Sequence, residues 1–385
     1  MRQVAIIGIG QIPVDEHWDK SLRELAGEAI FAALKDAGRT SADGLFIGNM
    51  LSGMLSKQEN IGALVADWIG LPGIEAYKIE TACSSGAAAL RAGLMAVSSG
   101  QMESALAIGV EKMTESLPIE TTEALATAAD ADYEASQGLS FVAINALVMQ
   151  RYLHSYGWKH TDFGAFSINA HANAMHNPYA RLHEVITEKD YNQARMIAAP
   201  INLMDASPTG DGAAALFLVP ADTIRPGVKP LVTIAGSASA IDTIAVHSRK
   251  DPLWLFAAAR SAKKAYSQAG VQPDDIDVFE LHDAFSIMSA LSLEASGFAE
   301  RGQGPRLALD GQILPTGKVP ITTRGGLKAR GHPVGATGIY QVVEVVQQLR
   351  GECGQTQVDG AKIGMAQNIG GSGATIITTI LKAIQ

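Results

Sequence analysis

A repeat within the chain constrains its fold more than any other feature of the sequence. Two stretches of the first half recur in the same order in the second: residues 32–48 match residues 262–281, and residues 105–111 match residues 361–367. The second pair is further apart in sequence than the first, so additional residues have entered the second copy. Because apolar, strand-like runs alternate with amphipathic helical patterns in both copies, we predict a duplicated α/β domain.

The strand–helix pattern is interrupted between residues 113 and 204. Residues 111–134 are acidic and rich in alanine, and helical patterns follow over residues 141–156 and 162–176. The strand pattern returns only at residues 212–219. We interpret residues 113–204 as an excursion from the first domain that is long enough to cover a site.

These observations predict three units. Residues 1–112 with 205–227 form an N-terminal half, residues 113–204 form an inserted loop domain, and residues 228–385 form a C-terminal half. A chain of 385 residues is too long for one ordinary core, which agrees with this division.

Composition and charge exclude several classes of protein. The chain is 47% hydrophobic and 18% charged, has 39 glycines, and carries a formal charge of −9, which argues against general nucleic-acid binding. No apolar run approaches the roughly 20 residues that span a bilayer. The first residues are typical of a strand rather than a signal peptide, and the two cysteines lie far apart in sequence. We therefore expect a cytoplasmic protein.

Cys83 is the first candidate for chemistry. An extended stretch over residues 76–80 leads into it, and a helical pattern with apolar residues at three- and four-residue spacing follows. We expect the sulfur at the first turn of this helix, where unpaired N–H groups lower the pKa of a thiol and favour the nucleophilic thiolate. Alternatively, Cys83 is a small buried apolar residue.

Two histidines stand beside glycine or acidic residues. His332 lies in Arg-Gly-His-Pro-Val-Gly-Ala-Thr-Gly, where Pro333 suits the first position of a helix, and a base at a helix start can take a thiol proton. His282 follows a strand predicted over residues 277–281 and is a candidate base or hydrogen-bond donor oriented by Asp283; Asp283 alternatively caps the next helix, and both interpretations can hold together. For His332 the alternative is a capping or buried structural role.

Two loops complete the candidates. Residues 368–373, after a strand predicted over 362–366, direct backbone N–H groups at developing negative charge or form a simple turn. Ser207 lies in a second loop by composition. Cys353 stands in a polar turn, so we expect it at the surface. The histidines of residues 154–183 lack the spacing of metal ligands, and we expect no metal.

These landmarks resemble the thiolase superfamily over essentially the whole chain. The resemblance rests on Cys83, Ser207 with the following Gly-Asp-Gly, His282-Asp-Ala-Phe, the Gly-His-Pro motif of His332, and the final Gly-Gly-Ser-Gly. The chain is most similar to archaeal-type acetyl-CoA acetyltransferases and sterol-carrier-type thiolases with a His-Asp-x-Phe motif. The resemblance implies two similar α/β halves stacked in five layers (αβαβα), with a loop domain inserted in the first half.

The resemblance also implies roles. Cys83 would accept the acyl group, His332 would activate it, and the N–H groups of Cys83 and Gly370 would hold the thioester oxyanion. His332 and His282 would hold the enolate oxygen, and Ser207 would contact the pantetheine arm of coenzyme A. The reaction would form or cleave a 3-ketoacyl-CoA of the acetoacetyl-CoA type, with acyl-CoA and CoA as substrates and no permanently bound cofactor.

Two departures from the family pattern leave alternatives open. Familiar thiolases carry a second, proton-moving cysteine where this chain has Asn368, and sterol-carrier-type relatives carry it where this chain has Ala284. We hypothesise that His282 or His332 takes that role. The alternatives are a partner-dependent aldol lyase acting on a CoA thioester, a decarboxylating condensing enzyme and a non-catalytic channelling subunit.

The resemblance implies partners as well. We expect a homodimer or dimer of dimers, with a small zinc-ribbon/OB-fold protein as a possible partner, no nucleic acid, no membrane, and a role in lipid metabolism. Lys318, Arg324, Lys328 and Arg330 lie in a stretch without acids and are candidates for the field that attracts CoA phosphates, with ordinary solvated surface as the alternative.

Overall fold

The computed structural model describes residues 2–224 and 231–384. Eleven strands are found in these residues: β1 (Val4–Gln11), β2 (Gly44–Gly48), β3 (Glu75–Ile79), β4 (Ala105–Glu111), β5 (Met196–Ala198), β6 (Ile201–Asn202), β7 (Gly212–Pro220), β8 (Leu231–Ile241), β9 (Val278–Glu280), β10 (Ile363–Gly370) and β11 (Thr375–Ile384).

Eleven α-helices connect them within the same residues: α1 (Leu22–Ala37), α2 (Ile61–Trp68), α3 (Ser85–Ser98), α4 (Pro118–Ala126), α5 (Phe141–Tyr156), α6 (Gly164–Ala174), α7 (Glu188–Gln193), α8 (Phe256–Ala269), α9 (Ser286–Ala295), α10 (Gly304–Leu309) and α11 (Thr337–Arg350). In the described part of the chain, no helix has both the length and the apolar character needed to cross a membrane.

The strand order confirms the predicted duplication. Nine strands form one sheet in the order β3-β2-β4-β7-β1-β8-β11-β10-β9. The series β2-β4-β7-β1 and β9-β10-β11-β8 have the same sequence of parallel and antiparallel pairs. The two halves meet where β1 and β8 pair antiparallel, with Ala5 opposite Thr233 and Ile6 opposite Val232.

The helices lie in layers around the two half-sheets. One apolar cluster joins α1 and α2 to the outer face of the first half-sheet, and a second joins α8 to the outer face of the second half-sheet. A third cluster holds α3 and α11 between them, through residues such as Leu90 and Val342 against Leu218 and Val278. Two half-sheets with helices outside and between them make the five αβαβα layers that the resemblance implied.

The interrupted region leaves the first half-sheet and returns to it. β4 and β7 pair antiparallel with Glu111 opposite Gly212, and α4–α7 with the β5–β6 hairpin lie between them in sequence. The predicted helix over residues 141–156 coincides with α5, and the second is shorter, as α6. The division into 1–112 with 205–227, 113–204 and 228–385 stays a prediction, and its boundary at 227 and 228 lies outside the described residues.

Two predicted boundaries in the second half were wrong. The helix after His332 begins at Thr337, so Pro333 lies in the preceding turns and not at the first helical position. The last predicted strand does not end at Ala366 but continues to Gly370, because all eight residues of β10 pair with β11. Asn368 and Gly370 are therefore strand residues, and only the residues after them form the turn.

Candidate active site

One cavity brings together most of the residues that the sequence singled out. It has a volume of about 230 Å³, and Cys83, His282, His332 and Ser207 line it. The rest of its wall is mainly apolar: Met113, Leu125, Phe141, Val142, Ala284, Phe285, Met288, Val334 and Ile369. A cavity of this kind, apolar with a few polar groups, is typical of a small-molecule site.

Cys83 lies in a tight turn between β3 and α3. Ala82 has a left-handed backbone with φ of 53°, and the turn is held because the Ser85 hydroxyl donates to Ala82 O at 2.6 Å. The Ser84 hydroxyl donates to Thr81 O, also at 2.6 Å. Since α3 begins at Ser85, the cysteine comes two residues before the helix and not within its first turn.

Glycines allow the starts of α3 and α11 to approach each other. A Cβ added at Gly86 would lie 2.9 Å from Gly335 O, and one added at Gly338 would lie 2.5 Å from Ala87 N. Side chains at these positions would force the helices apart. The glycines therefore bring the turn of Cys83 from the first half next to the turn of His332 from the second.

Burial raises the pKa of Cys83 to about 12, which contradicts the lowered pKa that we expected. Hydrogen bonds from the N–H groups of Gly371 and of Cys83 itself favour the thiolate, but burial outweighs them, and the Glu111 carboxylate adds to the rise. The thiol is 8% exposed. The resting cysteine is thus a neutral thiol that needs a base.

His332 lines the same cavity as Cys83 and is the candidate for such a base. Its backbone N–H donates to Pro208 O at 3.2 Å, and its Nδ1 lies 2.7 Å from Thr337 Oγ1. The Thr337 hydroxyl donates its own proton to Pro333 O at 3.1 Å, so its oxygen accepts from His332 Nδ1–H. The lone pair of His332 is therefore on Nε2.

Both histidines are neutral in the folded protein. Burial, with a contribution from the Arg330 guanidinium, lowers the pKa of His332 to about 3. Burial, then His332 and Arg330, lower the pKa of His282 well below its usual value. The two rings meet edge to face, with centroids 5.0 Å apart and planes at 87°. His282 Nδ1 lies 3.1 Å from Asn368 Nδ2.

Asp283 does not cap the helix that follows it. Its carboxylate accepts from Leu327 N at 2.7 Å and from Lys328 N at 3.2 Å, and so caps the π-helical turn Gly326–Arg330. Burial raises the pKa of Asp283 to about 6. This aspartate connects the His282 loop to the segment that leads into His332.

The two glycines of the last loop differ in position. Gly371 lines the cavity, and its N–H faces the sulfur of Cys83. Gly370 packs behind the turn, where an added Cβ would lie 2.4 Å from Thr81 O and 2.7 Å from Ser84 Oγ. The oxyanion role that the resemblance assigns to Gly370 stays a prediction, and the structure adds Gly371 as a second candidate.

The basic residues expected to attract CoA phosphates are mostly not at the surface. Arg324, Lys328 and Arg330 are buried, and Arg330 pairs with Glu344 at 2.8 Å. Lys318 is exposed and pairs with Asp274 at 3.1 Å. The prediction was wrong for the three buried residues, because later packing of the chain covers a stretch that is basic in sequence.

Cys353 is also buried, at 2% exposure, and our expectation of a surface residue was wrong. The turn that carries it folds back on α11, where Cys353 N donates to Gln357 Oε1 at 3.1 Å and Gln357 Nε2 donates to Gln348 O at 2.9 Å. It does not line the cavity of Cys83.

Sequence reasoning missed two polar residues around the site. Thr337 follows His332 by five residues within the same glycine-rich motif, so its spacing offered a signal. Glu111 ends β4 and accepts from Met50 N at 2.9 Å, Leu51 N at 3.1 Å and Gly335 N at 3.0 Å. Its sequence signal was a carboxylate directly after an apolar strand.

A buried cysteine and two imidazoles in one cavity are groups from which enzymes with a cysteine nucleophile are built. The thiolase N-terminal domain matches residues 4–222, and the thiolase C-terminal domain-like family matches residues 238–383. The chain belongs to the thiolase family, and it is an acyltransferase of the thiolase type.

Similar proteins agree with this assignment. An acetyl-CoA acetyltransferase of Methanothermobacter thermautotrophicus is 45% identical over 97% of this chain and 98% of its own length. One from Methanocaldococcus jannaschii is 37% identical over 99% of both chains. The solved structure of an Ltp2-ChsH2(DUF35) aldolase has a TM-score of 0.86 at 24% identity, covering 99% of this chain and 98% of that one, which shows the shared fold.

Proposed function

We propose that this protein forms or cleaves a 3-ketoacyl-CoA of the acetoacetyl-CoA type through an acyl group carried on Cys83. The observation that carries the proposal is the placement of Cys83 and His332 in one cavity, with the Nε2 lone pair of His332 available. A neutral thiol and a neutral imidazole that line one cavity are the two groups that general-base activation of a nucleophile requires.

In the first half-reaction, His332 Nε2 takes the thiol proton as the sulfur attacks the thioester carbonyl. The oxyanion that forms accepts hydrogen bonds from backbone N–H groups, with Cys83 and Gly370 as the proposed donors and Gly371 as the donor already facing the sulfur. The carbon–sulfur bond to coenzyme A then breaks, and the CoA thiolate leaves with the proton from His332. The product is acyl-Cys83.

In the second half-reaction, either a CoA thiol or the enolate of a second acyl-CoA attacks the acyl carbon. The enolate oxygen requires a hydrogen-bond donor within the cavity, and His282 is proposed for it, since it lines the cavity with its ring centroid 5.0 Å from that of His332. Coenzyme A enters as a substrate and is not held permanently. Ser207, on the loop returning from the inserted segment, is proposed to contact its pantetheine arm.

The inserted segment is proposed to cover the site. Phe141, Val142 and Asn145 of α5 line the cavity, and Met113, Thr122 and Leu125 come from the preceding stretch. These contacts support the predicted unit of residues 113–204 as a lid over the substrate. The wall that it contributes is mainly apolar, as expected for contact with an acyl chain.

The presence of Cys83 favours acyl transfer over aldol cleavage and over a non-catalytic channelling role. Aldol cleavage needs no acyl-cysteine, and a channelling subunit needs neither Cys83 nor a base beside it. The aldolase structure contains Ltp2 together with ChsH2. By analogy, a partner protein is proposed for this chain, as an accessory to acyl transfer.

Mass spectrometry after mixing with acetyl-CoA tests the proposal. Acyl transfer adds about 42 Da, the mass of an acetyl group, to the peptide that contains Cys83. Addition of CoA should remove the adduct. An unmodified Cys83 under conditions in which the protein remains folded would contradict acyl transfer.

We also propose a homodimer in the cytoplasm with a role in lipid metabolism. β3 is an edge of the sheet in the described residues, and Tyr77 on it is 50% exposed, which supports pairing at that edge. Both cysteines are free, which supports a reducing compartment. Light scattering would give about twice the 40.4 kDa chain mass for the dimer.

A further inference from the structure

Asn368 occupies the position next to His282, and its amide faces the ring. Asn368 is 1% exposed in β10, and its Nδ2 lies 3.1 Å from His282 Nδ1. An amide N–H₂ group can only donate, so Nδ1 accepts the hydrogen bond and the ring proton is on Nε2.

The two ends of the Asn368 amide have different surroundings. A Cβ added at Gly338 would lie 2.2 Å from Asn368 Oδ1 and 2.5 Å from Ala87 N, so the amide oxygen lies beside the first turn of α3. Within the described residues, this buried oxygen accepts no hydrogen bond. The side-chain hydrogen bond of this amide is made by its nitrogen, which faces His282.

The two cavity histidines are therefore held in opposite tautomers. Thr337 accepts from Nδ1–H of His332 and leaves a lone pair on Nε2, whereas Asn368 donates to Nδ1 of His282 and leaves a proton on Nε2. We propose that Asn368 is a positioning residue that fixes His282 as a hydrogen-bond donor and thereby assigns both proton transfers to His332.

The consequence for catalysis rests on the proposed function. Once the first CoA has left with the proton, Nε2 of His332 is free again. It takes a proton from the α-carbon of the second acyl-CoA, while His282 Nε2–H donates to the enolate oxygen. The enolate carbon bonds to the acyl carbon, the bond from that carbon to Cys83 breaks, and the thiolate recovers the proton from His332.

The tautomers can be read directly from ¹⁵N spectra of histidine side chains. The protein is labelled with ¹⁵N-histidine, and His282→Gln assigns the His282 signals among the nine histidines. In the wild type we expect Nδ1 of His282 to be unprotonated and Nε2 to be protonated, with the reverse for His332. If the neutral His282 ring of the wild type carried its proton on Nδ1, the proposal would be overturned without any further variant.

Asn368→Asp replaces the hydrogen-bond donor that faces His282 Nδ1 with an acceptor. A carboxylate can only accept, so the Nδ1 signal of His282 should move to the protonated position. The matched control is Gln367→Glu, the same change one residue away, whose amide donates to Ser296 and Thr378 instead. The control should leave the His282 signals unchanged, and equal movement in both variants would contradict the assignment.

Asn368→Leu removes the donor and keeps a similar volume. Condensation should fall about tenfold, as expected for one lost hydrogen bond, while the rate of Cys83 acetylation stays within about twofold. Equal loss in both half-reactions would indicate a merely structural role for Asn368. If the wild type forms no acetyl-Cys83 at all, the proposed function fails, but the spectra still decide the tautomers.

Discussion

The two halves of the molecule use the same topological position in different ways. Asn49 directly follows β2, and His282 follows β9, which is the counterpart of β2 in the strand order of the second half. In the first half, the Asn49 amide donates to Glu111 Oε1 at 2.8 Å and to Val110 O at 2.9 Å. In the second half, His282 accepts from Asn368 of β10.

The difference between these pairs lies in what surrounds them. Glu111 accepts backbone N–H groups from the loop after β2 and from Gly335, so the first pair joins the two halves and is closed to solvent. The second pair borders the cavity, where His282 has one nitrogen left for a substrate. One half thus supplies a rigid support together with the nucleophile, and the other supplies the proton-transferring groups.

The largest effect should come from removing the nucleophile of the first half. Cys83→Ser should lower turnover by roughly 10⁴-fold or more and abolish the acetyl adduct, because a hydroxyl is a far weaker nucleophile under the same base. Acetyl-CoA turnover and intact-protein mass measure both. Cys353→Ser is the matched control, since burial raises the pKa of Cys353 to about 12, as for Cys83, but Cys353 does not line the cavity of Cys83.

An acetyl adduct that survived in Cys83→Ser, or that disappeared in Cys353→Ser, would break the comparison. Both cysteines are buried and have a similarly raised pKa, so the position of Cys83 in the cavity would then not explain which cysteine is acetylated. The expected result instead shows that the neighbouring imidazole and the cavity make the difference.

The two histidines of the second half should differ by half-reaction. His332→Gln removes the base and should slow Cys83 acetylation by about 10²- to 10⁴-fold. His282→Gln should slow acetylation less than tenfold but slow condensation by about 10²- to 10³-fold, as for one donor to a developing oxyanion. Rapid-mixing measurements of each half-reaction separate these effects, and the same profile for both variants would refute the division of roles.

Glu111 should have its largest effect on stability, and this effect should depend on pH. Burial raises the pKa of Glu111 to about 7 from an ordinary 4.5, so the folded state binds more protons than the unfolded state between these values. The contribution of Glu111 to the free energy of unfolding is therefore fully present below pH 4.5. About 3 kcal/mol of it is lost as pH rises towards 7.

Denaturant unfolding of the wild type and of Glu111→Gln, from pH 4.5 to 7, measures this contribution. The variant should be less stable at pH 4.5, because its N–H₂ group faces backbone donors. The difference in the free energy of unfolding between the two proteins should narrow as pH rises. A difference that is constant with pH would mean that Glu111 does not titrate in this range. For His282→Gln, the difference in the free energy of unfolding from the wild type is not expected to narrow with pH in this way, because the His282 ring is already neutral.

Some features of the fold and the site follow from local sequence. The capping box of Ser21 and Glu24 begins α1, and the helical pattern of residues 141–156 coincides with α5. Such features depend on residues within a few positions of each other. The bond between His332 and Thr337 is local in the same sense, and its spacing was available in the sequence.

Other features depend on distant segments and could not be predicted. Arg324 is covered because the insertion returns to it, with Asn177 Oδ1 accepting from its Nη2 at 3.1 Å. Glu111 meets Gly335 across 224 residues, and Asn368 meets His282 across 86. A thiolate was expected at Cys83 because the helix start was visible in the sequence, whereas the burial that dominates its pKa was not.

The smallest effect should come from Ser207, where the two halves meet at the cavity. Its backbone N–H donates to Ala284 O at 2.9 Å, so the loop position should be kept when only the hydroxyl is removed. Ser207→Ala should raise the KM for acetyl-CoA about three- to tenfold with kcat unchanged, because one hydrogen bond to the substrate arm is lost equally in the ground and transition states. Thr209→Ala, on the same loop and also lining the cavity, is the control and should change neither constant by more than about twofold. A fall in kcat at constant KM would place Ser207 with the proton-transferring groups of the second half rather than with substrate binding.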